Sequence, residues 1–329
     1  SLKCFSYLSL SLKECVGLRQ MRKRPFFLEE IPQFTLPSIG LAVLGHPISH
    51  SISPVLHNAA LSDLSLKDSA FKGWSYHRVD IKAENLANAL VTFAEAGYLG
   101  LNLTIPHKVE ALKSVDRLDS EASLIGAINT LCLRDGEWFG YNTDGYGLHQ
   151  ALCKDLGCEI PNSKILILGA GGAARAAAVK CLLEGASTVH IHNRSPERLH
   201  DLLSLLSNHF EHSRISGTTV SNFRKVEFID QDWIVINATS LGLSEEDPSP
   251  FCMPCTELGK KSVVYDMIYN PAKTKLLAEA DEAGLSFANG LSMLVYQAAK
   301  SLEIWTDQEV CAERMLEAAK NYFSGYYAS

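Results

Sequence analysis

No stretch of the 329-residue chain approaches the roughly 20 apolar residues that a helix needs to cross a bilayer, so no membrane partner is expected. Excess positive charge is missing too: 30 Lys and Arg stand against 37 Asp and Glu, a formal net charge of -7. That balance argues against a general polyanion or nucleic-acid binder and leaves any attraction for phosphate to local features. The nine cysteines are scattered without a regular framework, and reduced thiols in a cytosol-like compartment are expected. Cys252-Met-Pro-Cys255 has redox or metal spacing, yet no second such pair and no nearby His pair accompanies it, so it reads as a loop coincidence and no metal is expected. Repeats and low-complexity tracts are also absent, which leaves an ordinary globular composition, 47% hydrophobic and 20% charged, long enough for two domains.

What is present is organised around Lys164 to Ala178, KILILGAGGAARAAA. Ile165-Leu166-Ile167-Leu168 runs without polar alternation, as a strand buried on both faces does. The spacing Gly169-x-Gly171-x-x-Ala174 then fits a strand, glycine turn and helix that bind a dinucleotide. The first Gly permits the turn, the second lets a pyrophosphate approach, and the small third residue lets helix and strand pack closely. Thr188 to His192 reads as the next strand, with Asn193-Arg194-Ser195 at the ribose position. An Asp or Glu there would favour NAD; Arg194, with Ser195 and Arg198, instead offers charge-assisted donors to a 2′-phosphate, which favours NADP. Solvated charges at a helix start are the competing reading of both arginines.

Upstream, Leu41 to Leu44 reads as a strand, and a polar turn leads to a helix around Val55 to Leu61 with Pro54 in its first turn and Ser53 able to cap it. Ser51 and Ser53 alternate around Ile52 and can point two hydroxyls into one pocket. Strands follow at 74–79 and 99–104, with a helix between them from Glu84 to Glu95. Asn102-Leu-Thr104-Ile-Pro-His-Lys108 brings an amide, a hydroxyl and an ammonium to a strand's carboxyl end, where ligands gather in α/β domains. Arg134-Asp-Gly-Glu-Trp reads as a hairpin turn. Asp144 stands in the junction Asn142-Thr-Asp-Gly145 before a helix from Tyr146 to Leu156, either as that helix's N-cap or as a functional carboxylate. Further strands at 233–238 and 263–267 alternate with helices, which implies a mainly parallel, doubly wound sheet. A helix beginning near Asn289 can cross back to the first domain, and 307–325 reads as an amphipathic helix.

Taken together these pieces resemble the shikimate dehydrogenase family from Leu41 to the end. The resemblance rests on His50-Ser-Ile-Ser-Pro-Val-Leu-His-Asn58, Asn102-Leu-Thr-Ile-Pro-His-Lys108, Gly126-Ala-Ile-Asn-Thr130, Asn142-Thr-Asp-Gly145, Gly169-Ala-Gly-Gly-Ala-Ala174, Asn193-Arg-Ser195, Asn237-Ala-Thr-Ser240, Tyr265-Asp-Met-Ile-Tyr269 and Asn289-Gly-Leu-Ser-Met-Leu-Val-Tyr-Gln297. It implies two α/β domains with a cleft between them: a substrate-binding domain of residues 39–143 plus 289–329 and a Rossmann-like NADP-binding domain of residues 144–288. It implies Lys108 and Asp144 as the catalytic pair, and shikimate held by Ser51, Ser53, Asn102, Thr104, Asn129, Tyr269 and Gln297. The cofactor residues it implies are Gly169, Ala170, Gly171, Gly172, Ala173, Asn193, Arg194, Ser195, Arg198, Thr239 and Gly290. Ser292, Ser195 and His46 depart from residues frequent in the family, namely Gly, Thr and Asn.

The implied reaction is the NADP-dependent reduction of 3-dehydroshikimate to shikimate by a cytoplasmic monomer or homodimer. A quinate or quinate/shikimate dehydrogenase using NAD or NADP is the nearest alternative, and a non-catalytic dinucleotide-binding redox regulator is one from another class. Residues 1–38, with basic Arg19, Arg22, Lys23 and Arg24, read as an appendage without assigned function. It is open to reading as a cloning remnant, part of an upstream fused dehydratase domain, or a targeting peptide that would place the chain in a plastid.

Overall fold

The structure is a computed structural model and describes residues 24–327; most of the N-terminal extension, residues 1–23, lies outside the described residues. The first sheet contains β1 (Gly40–Gly45), β2 (Ser75–Asp80), β3 (Tyr98–Leu103), β4 (Arg117–Leu118), β5 (Thr130–Arg134) and β6 (Glu137–Tyr141), in the order β2-β1-β3-β5-β6-β4. Its first three strands are parallel, and β5 and β6 run antiparallel as a hairpin. Asp135 (φ 53) and Gly136 (φ 81) make that hairpin's tight turn, as the Asp-Gly pair predicts. Helices α1 (Ser53–Lys67), α2 (Leu86–Glu95), α3 (His107–Glu110) and α4 (Ser120–Ile125) connect these strands.

Helix α5 (Asp144–Leu156) then leads to the second sheet, which is parallel throughout. It comprises β7 (Lys164–Leu168), β8 (Thr188–His192), β9 (Ile215–Thr218), β10 (Ile234–Asn237), β11 (Val263–Asp266) and β12 (Ser286–Asn289), in the order β12-β11-β10-β7-β8-β9. Its helices are α6 (Gly172–Leu183), α7 (Pro196–Ser207) and α8 (Lys275–Glu282). Finally α9 (Leu291–Thr306) and α10 (Ala312–Tyr327) return to the first sheet, where Val295, Ala298, Leu302 and Trp305 join Leu41, Val43 and Leu56 in one core. Conversely Leu148, Ala151 and Leu152 of α5 pack into the second sheet's core with Ile165 and Ile167. Each sheet buries apolar side chains on both faces, which is why its inner strands carry continuous hydrophobic runs.

The two crossing helices touch. A Cβ on Gly147 of α5 would lie 2.6 Å from the Met293 carbonyl oxygen and 2.9 Å from Cβ of Gln297, so only glycine permits this approach.

The structure corrects one capping expectation and decides another that the sequence left open. Ser53 does not cap α1: it is the first helical residue, Ile52 takes the cap position, and the Ser51 hydroxyl accepts the Ser53 amide at 3.3 Å. Asp144 likewise begins α5 inside the helix, with Thr143 at the cap position, which frees its carboxylate. Of the segment without assigned function, residues 24–38 pack against the first sheet. Phe26 pairs in parallel with Val79 along the edge of β2, Ile31 is buried, and Phe34 packs edge-on against Tyr98. Covering an exposed sheet edge in this way satisfies its backbone groups.

One packing contact yields a stability prediction. Trp305 is 5% exposed, its Nε1 donates to the Leu131 carbonyl at 2.8 Å, and its ring would lie 2.4 Å from a Cβ at Gly100. Gly100→Ala must displace the indole and is expected to cost about 1–3 kcal/mol, as overpacked cores do. Urea unfolding should show a lower midpoint at unchanged slope; an unmoved midpoint would mean the indole yields freely.

Candidate active site

Short helix α3 is fixed from both sides. His107 is buried and its Nε2 meets the Ile81 carbonyl at 2.8 Å, while the Lys108 carbonyl accepts the Ile128 amide at 2.7 Å. The Lys108 side chain, 24% exposed, reaches Oδ2 of Asp144, 8% exposed, at 2.5 Å. Residues 36 apart in sequence thus form one ion pair at the carboxyl ends of the first sheet's strands.

The pair is held by Asn129, which is 2% exposed. Its Nδ2 lies 2.9 Å from Asp144 Oδ1, 2.9 Å from Thr143 Oγ1 and 3.2 Å from Gln297 Oε1. Its Oδ1 accepts from the Thr143 amide at 2.8 Å and the Thr130 hydroxyl at 2.9 Å. Three acceptors compete for two amide protons, so Gln297, at the longest distance, is the one most readily given up to a ligand.

Behind Asn129 lies a network that the sequence did not reveal. Asn102 Nδ2 is 3.0 Å from Thr130 Oγ1, 3.0 Å from Ser301 Oγ and 3.1 Å from the Asn129 carbonyl, and its Oδ1 accepts from the Tyr76 hydroxyl at 2.7 Å. Both amide protons of Asn102 therefore turn inward, and the second lone pair of Oδ1 is what remains for a ligand. Ser301 follows Gln297 by four residues on α9, so the two share a helix face, and that spacing was the available signal. Tyr76 stacks on His57 with centroids 4.0 Å apart, and complete burial pushes the His57 imidazole down to about 3, so it is neutral.

The other expected substrate residues follow strands of both sheets: Ser51, Ser53 and Thr104 follow β1 and β3 of the first, and Tyr269 follows β11 of the second. Ser51 and Ser53 hydroxyls are 3.2 Å apart. Thr104, half-buried, lies in the turn between β3 and α3, its amide bonded to the Leu44 carbonyl at 3.0 Å. Tyr269 is half-buried beyond β11, 6.0 Å between ring centroids from Phe323 of α10, and burial raises its phenol above the usual range. The loop carrying it is pinned by Asp266, whose carboxylate accepts from Asn237 Nδ2 at 2.9 Å, the Ile268 amide at 3.0 Å and the Thr274 hydroxyl at 2.6 Å.

On the second sheet, Gly169 has φ +112 and sits against the Ala238 carbonyl and Thr239, a turn that only glycine enters without strain. A Cβ on Gly171 or Gly172 would meet nothing within 4 Å, so the N-terminus of α6 faces open space with its amides unspent. Ala170 is buried and Ala173 half-buried beside it. At the end of β8, Asn193 Nδ2 donates to the Ser195 carbonyl at 2.9 Å, and Ser195 caps α7. Arg194 and Arg198 are exposed. The Thr239 hydroxyl donates to Asn237 Oδ1 at 2.7 Å, and Gly290 is required by the Met267 carbonyl, 2.0 Å from where a Cβ would be. An open glycine turn at a helix start, with an exposed Arg at the following strand's end, fits a dinucleotide bearing a 2′-phosphate.

Among the described residues no helix is long and apolar enough to cross a membrane, and no group of three or more His, Cys, Asp and Glu could hold a metal. The seven described cysteines, Cys252 and Cys255 included, are free. A surface recess of about 760 Å³ lined by Lys164, Gln231 and Trp233 lies at the opposite, amino end of the second sheet, away from this chemistry.

A parallel dinucleotide-type sheet, joined through two touching helices to a second α/β unit whose strand ends carry a clamped ammonium–carboxylate pair, is the build of a nicotinamide-dependent oxidoreductase. A family model described as the shikimate dehydrogenase substrate binding domain matches residues 43–131, and one described as the shikimate 5'-dehydrogenase C-terminal domain matches 290–320. The chain is 39% identical over 268 residues to a shikimate dehydrogenase (NADP(+)) of Methanococcus aeolicus, covering 81% of this chain and 91% of that protein. It is 40% identical to a protein of the same description from Methanosarcina acetivorans, covering 83% and 94%. A Thermus thermophilus shikimate 5-dehydrogenase solved with NADP(H) and shikimate superposes with a TM-score of 0.72 at 35% identity, covering 86% of this chain and 99% of that one. The chain belongs to the shikimate dehydrogenase family.

Proposed function

We propose that this chain catalyses the reversible NADP-dependent reduction of 3-dehydroshikimate to shikimate, with Lys108 as the proton donor and acceptor. The observation that carries the reading is the Lys108–Asp144 contact at 2.5 Å, clamped by Asn129 at the strand ends. NADPH, when bound against the Gly169–Gly172 turn and Arg194, supplies hydride. Reduction of a ring ketone generates an alkoxide, and an ammonium within hydrogen-bond reach neutralises it as it forms. In oxidation the neutral amine takes the hydroxyl proton. Asp144 orients the Lys108 side chain and accepts from a neighbouring ring hydroxyl, while Asn129 prevents the carboxylate from rotating away. Ser51, Ser53 and Tyr269 are assigned to the ring carboxylate side; Thr104, Gln297 and the remaining lone pair of Asn102 read ring hydroxyls. A pocket that pairs each hydroxyl rejects analogues lacking one, because its own polar groups are then stranded.

Of the alternatives, an idle redox reporter has no use for an aligned, clamped ion pair, and quinate's extra hydroxyl beside its carboxylate must be accommodated at Ser51 and Ser53. A matrix of kcat/KM for shikimate and quinate against NADP and NAD tests substrate and cofactor together. Shikimate with NADP is expected to be the largest entry by at least an order of magnitude; a matrix led by quinate would move the assignment to that substrate. The proposed setting is the cytoplasm, or a plastid if the first residues target the chain there, with the enzyme working as a monomer or homodimer and an upstream dehydratase supplying its substrate.

Arg194→Ala is expected to raise KM for NADP about 10- to 100-fold, the loss of a charge-assisted contact to phosphate, with KM for NAD nearly unchanged. Equal losses for both cofactors would remove the 2′-phosphate assignment.

A further inference from the structure

The Lys108–Asp144 pair is neutral as a unit, and two serine hydroxyls carry no charge, so the proposed site has no obvious counter-charge for the substrate carboxylate. The structure puts one directly behind the serines. Arg78, on β2, donates from Nη1 to the Ser49 carbonyl at 2.5 Å and to the Ser51 carbonyl at 3.2 Å. Tyr76 and Asp80 share its strand face at two-residue spacing. Tyr76 turns to Asn102, and the Asp80 carboxylate turns to Nδ1 of His46 at 2.6 Å, one of the positions where this chain departs from residues frequent in the family.

Holding two carbonyls fixes two peptide planes. In a trans peptide the N–H points opposite to the C=O. The amides of His50 and Ile52 therefore face away from the guanidinium, and neither has a hydrogen-bond partner among the described residues. Beside them stand the Ser51 and Ser53 hydroxyls and the first turn of the 15-residue α1. The two unpaired peptide N–H groups and the helix start are thus arranged with their positive ends together, beside a Ser51 hydroxyl that donates to Ser53 Oγ. Arg78 is half-buried, and burial lowers its affinity for its proton, so its field is screened less than that of a surface charge.

We infer that Arg78 is the positioning and charge-supplying residue for substrate carboxylate recognition, acting through the Ser49–Ser51 backbone that it holds. This inference rests on the assignment of Ser51 and Ser53 to the carboxylate. Its consequence is selectivity for an anionic ring acid over a neutral analogue of the same shape, a preference that serine hydroxyls alone do not generate.

The test compares kcat/KM for shikimate and for its carboxamide at saturating NADP, in the wild type, Arg78→Gln and Arg78→Lys. Gln keeps a donor for the carbonyls and loses the charge; Lys keeps the charge. The wild type should prefer the carboxylate. Arg78→Gln should erase roughly 10-fold or more of that preference while leaving carboxamide turnover within a few-fold, and Arg78→Lys should retain most of it. A preference that Arg78→Gln leaves intact, or equal losses on both substrates, would overturn the inference, the second outcome showing that Arg78 merely props the loop. No preference in the wild type would instead remove the carboxylate assignment of the serines. Should Arg78→Gln fail to fold, Arg78→Lys decides: a preference kept supports the inference, and a preference lost although the charge remains overturns it.

Discussion

Lys108→Ala is expected to lower kcat for shikimate oxidation by about 10²- to 10⁴-fold, the range that a positioned general acid–base contributes, with KM changed only a few-fold. The asymmetry follows from what the ammonium does. Ground-state ring hydroxyls keep Asp144, Asn129 and Gln297 as partners when Lys108 is removed, whereas the developing alkoxide loses the one group able to give it a proton. NADP affinity should stay the same, because the glycine turn and Arg194 belong to the other sheet. The alternative in which Lys108 only binds substrate predicts the reverse, a large rise in KM at unaltered kcat. Partial recovery with added small amines would further support a missing proton carrier, since the alanine leaves room next to Asp144.

Asp144→Asn should lower kcat about 10²- to 10³-fold and also raise KM, because the carboxylate both orients Lys108 and receives a substrate hydroxyl. The replacement keeps the shape and an oxygen for Asn129 Nδ2, now at 2.9 Å from Asp144 Oδ1, but it leaves Lys108 without its anion. A double-mutant cycle sharpens this result. If Asn129 acts by fixing that carboxylate, Asn129→Ala should cost much less in the Asp144→Asn background than in the wild type. Independent, additive losses would show that Asn129 serves some other purpose. Both residues are buried, Asn129 at 2% and Asp144 at 6% exposure, so unfolding midpoints of each variant accompany the kinetics to separate a stability loss from a catalytic one.

Which parts of this were legible from the chain follows from how local each signal is. The β8 strand, the Asp135-Gly136 turn and the glycine turn after β7 are written in adjacent residues, and the structure has them where the spacing puts them. The alternation around Ser51 and Ser53 did place two hydroxyls together, yet capping could not be assigned, because the helix begins one residue earlier than Pro54 implies. Strands β9 and β12, ISGT and SFAN, escaped notice because they form the two edges of their sheet, where few side chains need be apolar. Edge pairing by Phe26 was invisible for the same reason. Tyr76, Arg78 and Ser301 were missed on different grounds: Asn102 and Ser301 are 199 residues apart, and no periodicity reports a contact of that span.

Gly147 has a mechanical consequence. The chain passes from one sheet to the other through α5 and α9 alone, among the described residues, and these helices are in backbone-level contact at that glycine. Asp144 lies one turn before this crossing, and Gln297 lies directly against it. A swing of the two halves about such a pivot would move distant atoms far and adjacent atoms little, so Asp144 and Gln297 would keep their spacing while the Gly169–Gly172 turn travels. On the roles proposed above, nucleotide entry and exit would then leave the Lys108–Asp144 contact in place.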